Sequence, residues 1–277
     1  MADCPFSALK VENWLAKLSL MIVTDYLQRF LRRVAPKRFY CEDALITTHN
    51  HDFLDESRFR KAYERGIRAT EGLDNHNRWR VHIALWVARA CASLEGDFVE
   101  CGVNYGLTSS AIMEDLSWDR LGKTFWLIDS FGGVDEGQLT ETEKKSESVE
   151  KYRRAKSTGF YNTSVERCRQ NFGEWTQAKV VQGWIPNCLK DISSPRIAFM
   201  HLDLNSGVPE IAAFEFFSTK FSPGALILLD DYGYSGHYGI HKAWAEAAPR
   251  LGIAILSLPT GQGLIHIPGK YQPAISS

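Results

Sequence analysis

Five short apolar runs, interleaved with four stretches of helical period, limit most strongly the folds open to this chain. Residues 97–101 (DFVEC), 124–128 (TFWLI), 179–182 (KVVQ), 197–202 (IAFMHL) and 225–229 (ALILL) are four to six residues long and largely apolar. Strands buried on both faces read this way, and a parallel sheet covered by helices buries both faces. The stretches 107–118, 164–172, 209–220 and 238–251 supply such helices, which predicts a parallel α/β sheet with right-handed crossovers. The ending differs: 252–258 and 263–267 flank Pro259-Thr260-Gly261-Gln262 and predict a terminal antiparallel hairpin. At 277 residues and 44% hydrophobic, the chain is long and apolar enough for a substantial core.

Ahead of the sheet, residues 11–33 place Trp14, Leu15, Leu18, Met21, Ile22, Tyr26, Phe30 and Leu31 at three- and four-residue steps. This predicts an amphipathic helix that docks on its own domain, enters a partner subunit or lies on a membrane. Pro36 ends it. Residues 37–78 are polar and rich in His and Arg, and two short helices with loops are expected there. His49 and His51 fit a hydrogen-bonded loop better than a metal site, since no third ligand is near in sequence. A packing helix follows at 79–92, with Trp79, Ile83, Trp86, Val87 and Ala90 on one face. The thirty or so charge-dense residues of 132–163 interrupt the α/β rhythm and are expected to form a mobile lid with a helix near 147–154. The reading is thus an N-terminal helical extension over 1–78, a ligand-binding domain over 79–269 and a loose tail over 270–277.

With 32 Lys plus Arg against 33 Asp plus Glu and no basic block, no nucleic-acid partner is expected. No run reaches 18 apolar residues, so no membrane span is expected, and the first residues lack the pattern of a secretory leader. The six cysteines form no C-x-x-C pair, which fits a protein of the reducing cytoplasm better than a zinc or disulfide framework. The N-terminal amphipathic helix makes a homodimer the expected assembly.

Chemistry concentrates where strands end. The first predicted strand runs through Glu100 into Gly102, Val103, Asn104, Tyr105 and Gly106, and a helix follows. Glycines allow a tight turn and close approach by a ligand, and the helix N-terminus offers free N–H groups to a carboxylate. The spacing is E-x-G-x-x-x-G rather than the G-x-G-x-x-G of a dinucleotide site, which counts against a nicotinamide dehydrogenase. It suits a cationic ligand carrying an amino acid; a plain glycine turn is the alternative. Asp129 and Ser130 end the second strand, where a carboxylate reaches ribose hydroxyls, and Gly183 and Trp184 after the third stand where an adenine would border. Asp203 follows the fourth strand, and Asp230 and Asp231 the fifth. Three converging carboxylates repel unless a hard divalent cation sits between them, or unless an aspartate at the fifth strand merely caps a turn.

Together FVECGVNYG, IDSFGGV, the HLD strand end, SPGALILLDDYG and LPTGQGLI resemble the macrocin O-methyltransferase-type family of class I S-adenosylmethionine-dependent methyltransferases, over about 79–268. The resemblance implies a Rossmann-like, mostly parallel seven-stranded sheet and methyl transfer to a sugar hydroxyl of a small molecule or glycan. It puts the methionine part of S-adenosylmethionine at Glu100, Gly102, Asn104 and Gly106, the ribose at Asp129, and Mg²⁺ on Asp203, Asp230 and Asp231. The family usually reads LDGD after the fourth strand, the second Asp being a candidate base; here the residue is Asn205. An amide takes no proton in catalysis, so the base is expected among His237, His241 and His201, with His237 first, and Asp203 beside it in the catalytic set. A phenolic or amine acceptor and a non-catalytic cofactor binder are the other readings.

Overall fold

A computed structural model describes residues 39–145 and 148–271, together with 26, 27, 29, 30 and 33, which are helical. In chain order it contains strands β1 (Tyr40–Glu42) and β2 (Leu45–Thr47), helices α1 (Ser57–Ala69) and α2 (Arg78–Cys91), then β3 (Asp97–Cys101) and α3 (Leu107–Leu116). Next come β4 (Phe125–Asp129), α4 (Glu141–Lys145), α5 (Ser148–Ser157), α6 (Val165–Phe172), β5 (Ala178–Gln182), β6 (Ile197–Leu202) and α7 (Gly207–Phe217). The chain closes with β7 (Phe221–Leu229), α8 (Tyr238–Leu251), β8 (Ile255–Ser257) and β9 (Gly263–His266).

The main sheet has seven strands in the order β5-β4-β3-β6-β7-β9-β8. Pairings from β5 to β7 are parallel, whereas β9 runs antiparallel to both β7 and β8. This is the Rossmann-like sheet that the resemblance implies, with the closing hairpin where the sequence places it. Strand residues alternate between two helical layers because successive side chains point to opposite faces. Phe98, Phe125, Leu127, Phe199 and Leu228 join a core with α1, α2 and α3, while Val99, Ile128, Met200, Leu202 and Leu229 join one with α7 and α8. Trp244, Phe214 and Phe217 are wholly buried in the second core, at about 2–3 kcal/mol each for burial of so large a side chain.

Three local readings change. Residues 40–47 form a hairpin whose two turn residues, Asp43 and Ala44, both have positive φ, and a single helix of 13 residues replaces the second of the expected short ones. On α2 the buried face is Arg80, Val81, Ala84, Leu85, Val87, Ala88 and Cys91; of the residues expected to pack, Val87 is buried and Trp79 and Ile83 are half-buried, whereas Trp86 and Ala90 are exposed. Two compact units divide at Asp52, so α1, inside the stretch read as an N-terminal extension, belongs to the unit that carries the sheet. The amphipathic stretch 11–33 lies largely outside the described residues, as does the tail beyond 271.

His49 and His51 stand in an exposed loop, where His51 Nδ1 is 2.9 Å from the His49 carbonyl. Cys91, Cys101, Cys168 and Cys188 are free thiols and, like Cys41, are buried. No helix among the described residues is long and apolar enough to cross a membrane.

Candidate active site

Parallel register brings the strand ends to one edge. Glu100 pairs with His201 across β3 and β6, and Leu202 with Leu229 across β6 and β7, so Asp203 and Asp230 leave the sheet side by side. Asp129 pairs with Gln182 on the other flank of β3. Gly102 leaves β3 at φ +94°, and a Cβ there would lie 1.8 Å from the Asp203 carbonyl oxygen. Only glycine lets β3 turn away while staying against β6. Gly106, at φ +90°, is the N-cap of α3 and faces the Phe172 ring.

Glu100 is buried. Its Oε1 is 2.7 Å from His201 Nδ1, while Oε2 has no hydrogen-bond partner. An unpaired carboxylate oxygen is costly inside a protein unless a ligand meets it. His201 is buried too, with Nε2 3.5 Å from Asp230 Oδ1. Burial disfavours its charge, but Asp230 and Glu100 outweigh that and hold the imidazolium well above the ordinary histidine range. Burial likewise raises Glu100, with His201 offsetting part of the shift.

Asp129 accepts hydrogen bonds from the Asn104 amide at 2.8 Å and the Phe131 amide at 2.7 Å, so it ties the glycine turn to the end of β4. Burial holds it above the usual carboxylate range despite these donors. Ser130 Oγ accepts from the Gly132 amide and donates to the Gly133 carbonyl, shaping the next turn. Gly183 donates its amide to the Asp129 carbonyl, and the half-exposed Trp184 ring lies against Gly132. The eight positions expected around a nucleoside thus gather at the ends of β3, β4 and β5, with Gly102 at the seam with β6.

On the other side stand the three aspartates, and a residue the sequence reading passed over. Arg80 of α2 is buried and places Nη1 2.5 Å from Asp230 Oδ2 and 3.4 Å from Asp231 Oδ1, with its guanidinium 4.6 Å above the Tyr234 ring. Gln262, from the terminal hairpin, donates to Asp230 Oδ1 at 3.0 Å, and Asn205 donates to Asp203 Oδ1 at 3.3 Å. Burial raises Asp230, but the Arg80 and His201 charges reverse this and hold it well below the usual range. Asp203, buried beside the Asp230 and Asp231 charges, is pushed well above it. The chemistry of three carboxylates suits a hard cation, yet the donor set as it stands does not fit one: protein donors already meet these carboxylates. Among the described residues no three Asp, Glu, His or Cys side chains group as metal ligands. Where the sequence reading expects Mg²⁺, at Asp203, Asp230 and Asp231, the structure sets an arginine beside Asp230 and Asp231.

His237 caps α8. It is buried, with Nε2 3.8 Å from Asp231 Oδ2 and Nδ1 3.4 Å from Tyr152 Oη. His241 turns its Nδ1 to the Tyr232 carbonyl at 3.2 Å, and His201 is pinned inside the sheet, so neither reaches the rim as His237 does.

The segment after β4 is folded down on this edge. It holds α4 and α5, where the sequence suggested one helix. Glu143 accepts from the Gly207 amide at 3.0 Å, and Tyr152 donates to the Asn205 carbonyl at 2.7 Å. At its end, Asn104 donates to the Phe160 carbonyl and Asn162 to the Asn104 carbonyl, so the cover is fastened to the glycine turn. Tyr152 carried no signal in the sequence, because it sits neither at a strand end nor in a recognisable spacing, and Gln262 reads only as part of the closing turn and of LPTGQGLI.

The sequence model of the family described as Macrocin-O-methyltransferase (TylF) matches residues 82–250. The chain belongs to the TylF macrocin-O-methyltransferase family. This O-methyltransferase shares its fold with the O-methyltransferase NovP, at 18% identity and a TM-score of 0.57 over 68% of this chain and 79% of that one. It shares it also with CalS11, a calicheamicin methyltransferase, at 14% identity and a TM-score of 0.55 over 79% of this chain and 98% of that one. No curated protein matches the sequence. The matched stretch of this TylF-family enzyme spans α2 through α8 and contains the glycine turn, the lid and all three aspartates.

Proposed function

We propose that this O-methyltransferase moves the methyl group of S-adenosylmethionine to a sugar hydroxyl of a glycan or glycosylated small molecule. The methyl donor follows from the family, and the sugar class is supported by the macrocin description and by the calicheamicin methyltransferase that shares the fold. The observation that carries the donor assignment is Glu100 Oε2, a buried carboxylate oxygen without a partner at the head of the glycine turn. An ammonium such as that of the methionine part satisfies it. Asn104 and the turn from Gly102 to Gly106 would hold the same part, Asp129 and Ser130 the ribose, and Gly183 and Trp184 the adenine border.

Bound S-adenosylmethionine supplies an electrophilic methyl group. The acceptor oxygen must lose its proton as it takes up that methyl, and we assign His237 to receive it. The one proton of Tyr152 goes to the Asn205 carbonyl, so its oxygen accepts from His237 Nδ1–H and leaves Nε2 as the basic nitrogen. Asp231, 3.8 Å away, stabilises the imidazolium that forms. The folded-down segment excludes water, and the main catalytic contribution is positioning. The cytoplasmic setting and the homodimer are proposed from sequence; light scattering on the purified protein checks the dimer.

Calorimetric titration with S-adenosylhomocysteine tests the donor site. Saturable binding is expected, weakened at least about tenfold by Glu100→Gln, which removes the charge that meets the ammonium. Absence of binding at millimolar ligand overturns the reading. A screen of sugar and sugar-nucleotide acceptors with labelled methyl donor then identifies the acceptor, and labelling of phenols or amines alone refutes the sugar class.

A further inference from the structure

We infer that the guanidinium of Arg80 is the resident cation of the three-aspartate rim, so that this enzyme works without a divalent metal there. The second half rests on the methyltransferase reading; the first does not. Sequence logic asks for positive charge among Asp203, Asp230 and Asp231, because carboxylates at neighbouring strand ends repel. The fold supplies it from α2. Arg80 Nη1 meets Asp230 Oδ2 at 2.5 Å, the Asp230 carbonyl at 3.2 Å and Asp231 Oδ1 at 3.4 Å.

The arginine is held in place on its other side. Its guanidinium lies 4.6 Å above the Tyr234 ring, a stacking that suits a planar cation and not a hydrated metal ion. Asp230 keeps no oxygen free, since Gln262 Nε2 donates to Oδ1 at 3.0 Å. The Gln262 amide is oriented in turn by Thr260, whose hydroxyl donates to Oε1 at 2.9 Å, so the terminal hairpin is built to present a donor to this carboxylate. Asp203 receives the Asn205 amide at 3.3 Å. A divalent ion bound by these oxygens needs their lone pairs at roughly 2.0–2.6 Å and would sit in direct contact with a guanidinium that is always charged. Two cations so close, in a site largely shut from water, repel strongly. Asn205 fits the same logic, because a neutral side chain there adds no fourth negative charge to the rim.

The test follows Mn²⁺ as a metal probe on full-length enzyme stripped with EDTA and desalted, reading free Mn²⁺ by electron paramagnetic resonance. The wild-type protein is expected to take up no Mn²⁺ that depends on Asp230 up to about 1 mM. Arg80→Met, with its folding checked by circular dichroism, is expected to bind Mn²⁺ at least about tenfold more tightly than wild type, and Asp230→Asn in that background to abolish the gain. Stoichiometric Mn²⁺ binding by the wild type that Asp230→Asn removes overturns the inference, and so does folded Arg80→Met that gains none. The wild-type arm decides even if Arg80→Met does not fold. On the same samples, S-adenosylhomocysteine titration reports separately on the methyltransferase reading. Where that ligand binds, turnover after EDTA treatment is expected within about twofold of the untreated value, and its loss with recovery on adding Mg²⁺ overturns the metal-free mechanism.

Discussion

His237 has a different partner at each ring nitrogen, and the difference sets what it can do. Tyr152 reaches Nδ1 from the lid, and Asp231 stands 3.8 Å from Nε2, too far for a hydrogen bond but near enough to favour a positive charge. His237→Gln keeps polarity and loses basicity, so kcat is expected to fall by roughly 10²–10⁴ with S-adenosylhomocysteine affinity nearly unchanged. Steady-state kinetics beside a binding titration check this, and an unchanged kcat removes His237 from the base role. The candidates at strand ends were legible because a carboxylate that follows a buried run has one place to go, the rim. Arg80 was not legible. It lies 150 residues before Asp230 on a helix whose stripe of Trp79, Ile83 and Trp86 suggested the inward face, and periodicity assigns a lone arginine to solvent.

The element on which the site most depends is the exit of β3. Gly102→Ala would put a Cβ 1.8 Å from the Asp203 carbonyl at a φ of +94°; the oxygen is backbone and the Cβ is fixed to backbone, so neither can move aside cheaply. Parting β3 from β6 there is expected to cost at least about 3 kcal/mol in urea unfolding and to abolish S-adenosylhomocysteine binding. A variant as stable as wild type contradicts this packing. A second joint is electrostatic. Asp115 of α3, with no exposed side-chain surface, receives Arg58 of α1 at 2.7 Å and Arg89 of α2 at 2.6 Å. Asp115→Asn is expected to lower stability by roughly 2–3 kcal/mol, since solvent reaches both arginines and takes up part of the released charge. The strands and helices of the sheet layer were readable within a few residues because burial on both faces leaves little ambiguity. The hairpin at 40–47 was not, because its turn is Asp43-Ala44, without the Asn-Gly or Asp-Gly signal, and Ala44 at φ +60° is a conformation the residue type does not announce.

Over the whole molecule, the groups buried at and behind the rim share a direction. Glu100, Asp129, Asp203 and His201 all hold their protons more tightly in the fold than free side chains do. Glu210 does so most legibly: burial pushes it from its ordinary 4.5 up to about 8, although Trp244 donates to it at 2.8 Å. A carboxyl raised in this way stabilises the fold fully below its unfolded pKa, and that contribution is lost as pH rises through the folded one. Between about pH 4.5 and 8, then, the folded chain binds the extra proton and stability falls with pH, by at most about 1.4 kcal/mol per pH unit for this one group. Asp230 and Asp74 act oppositely, since both are lowered; their contribution exists above the ordinary carboxylate range and disappears on acidification. Maximum stability is therefore expected on the mildly acidic side of neutrality, with a melting temperature that declines from pH 6 to pH 9. In Glu210→Gln, which carries no proton to lose, the decline is expected to be shallower over this range, and thermal melts at several pH values compare the two slopes. A wild-type melting temperature that rises from pH 6 to pH 9, or a variant slope equal to that of the wild type, refutes a Glu210 that holds its proton up to about pH 8 in the fold.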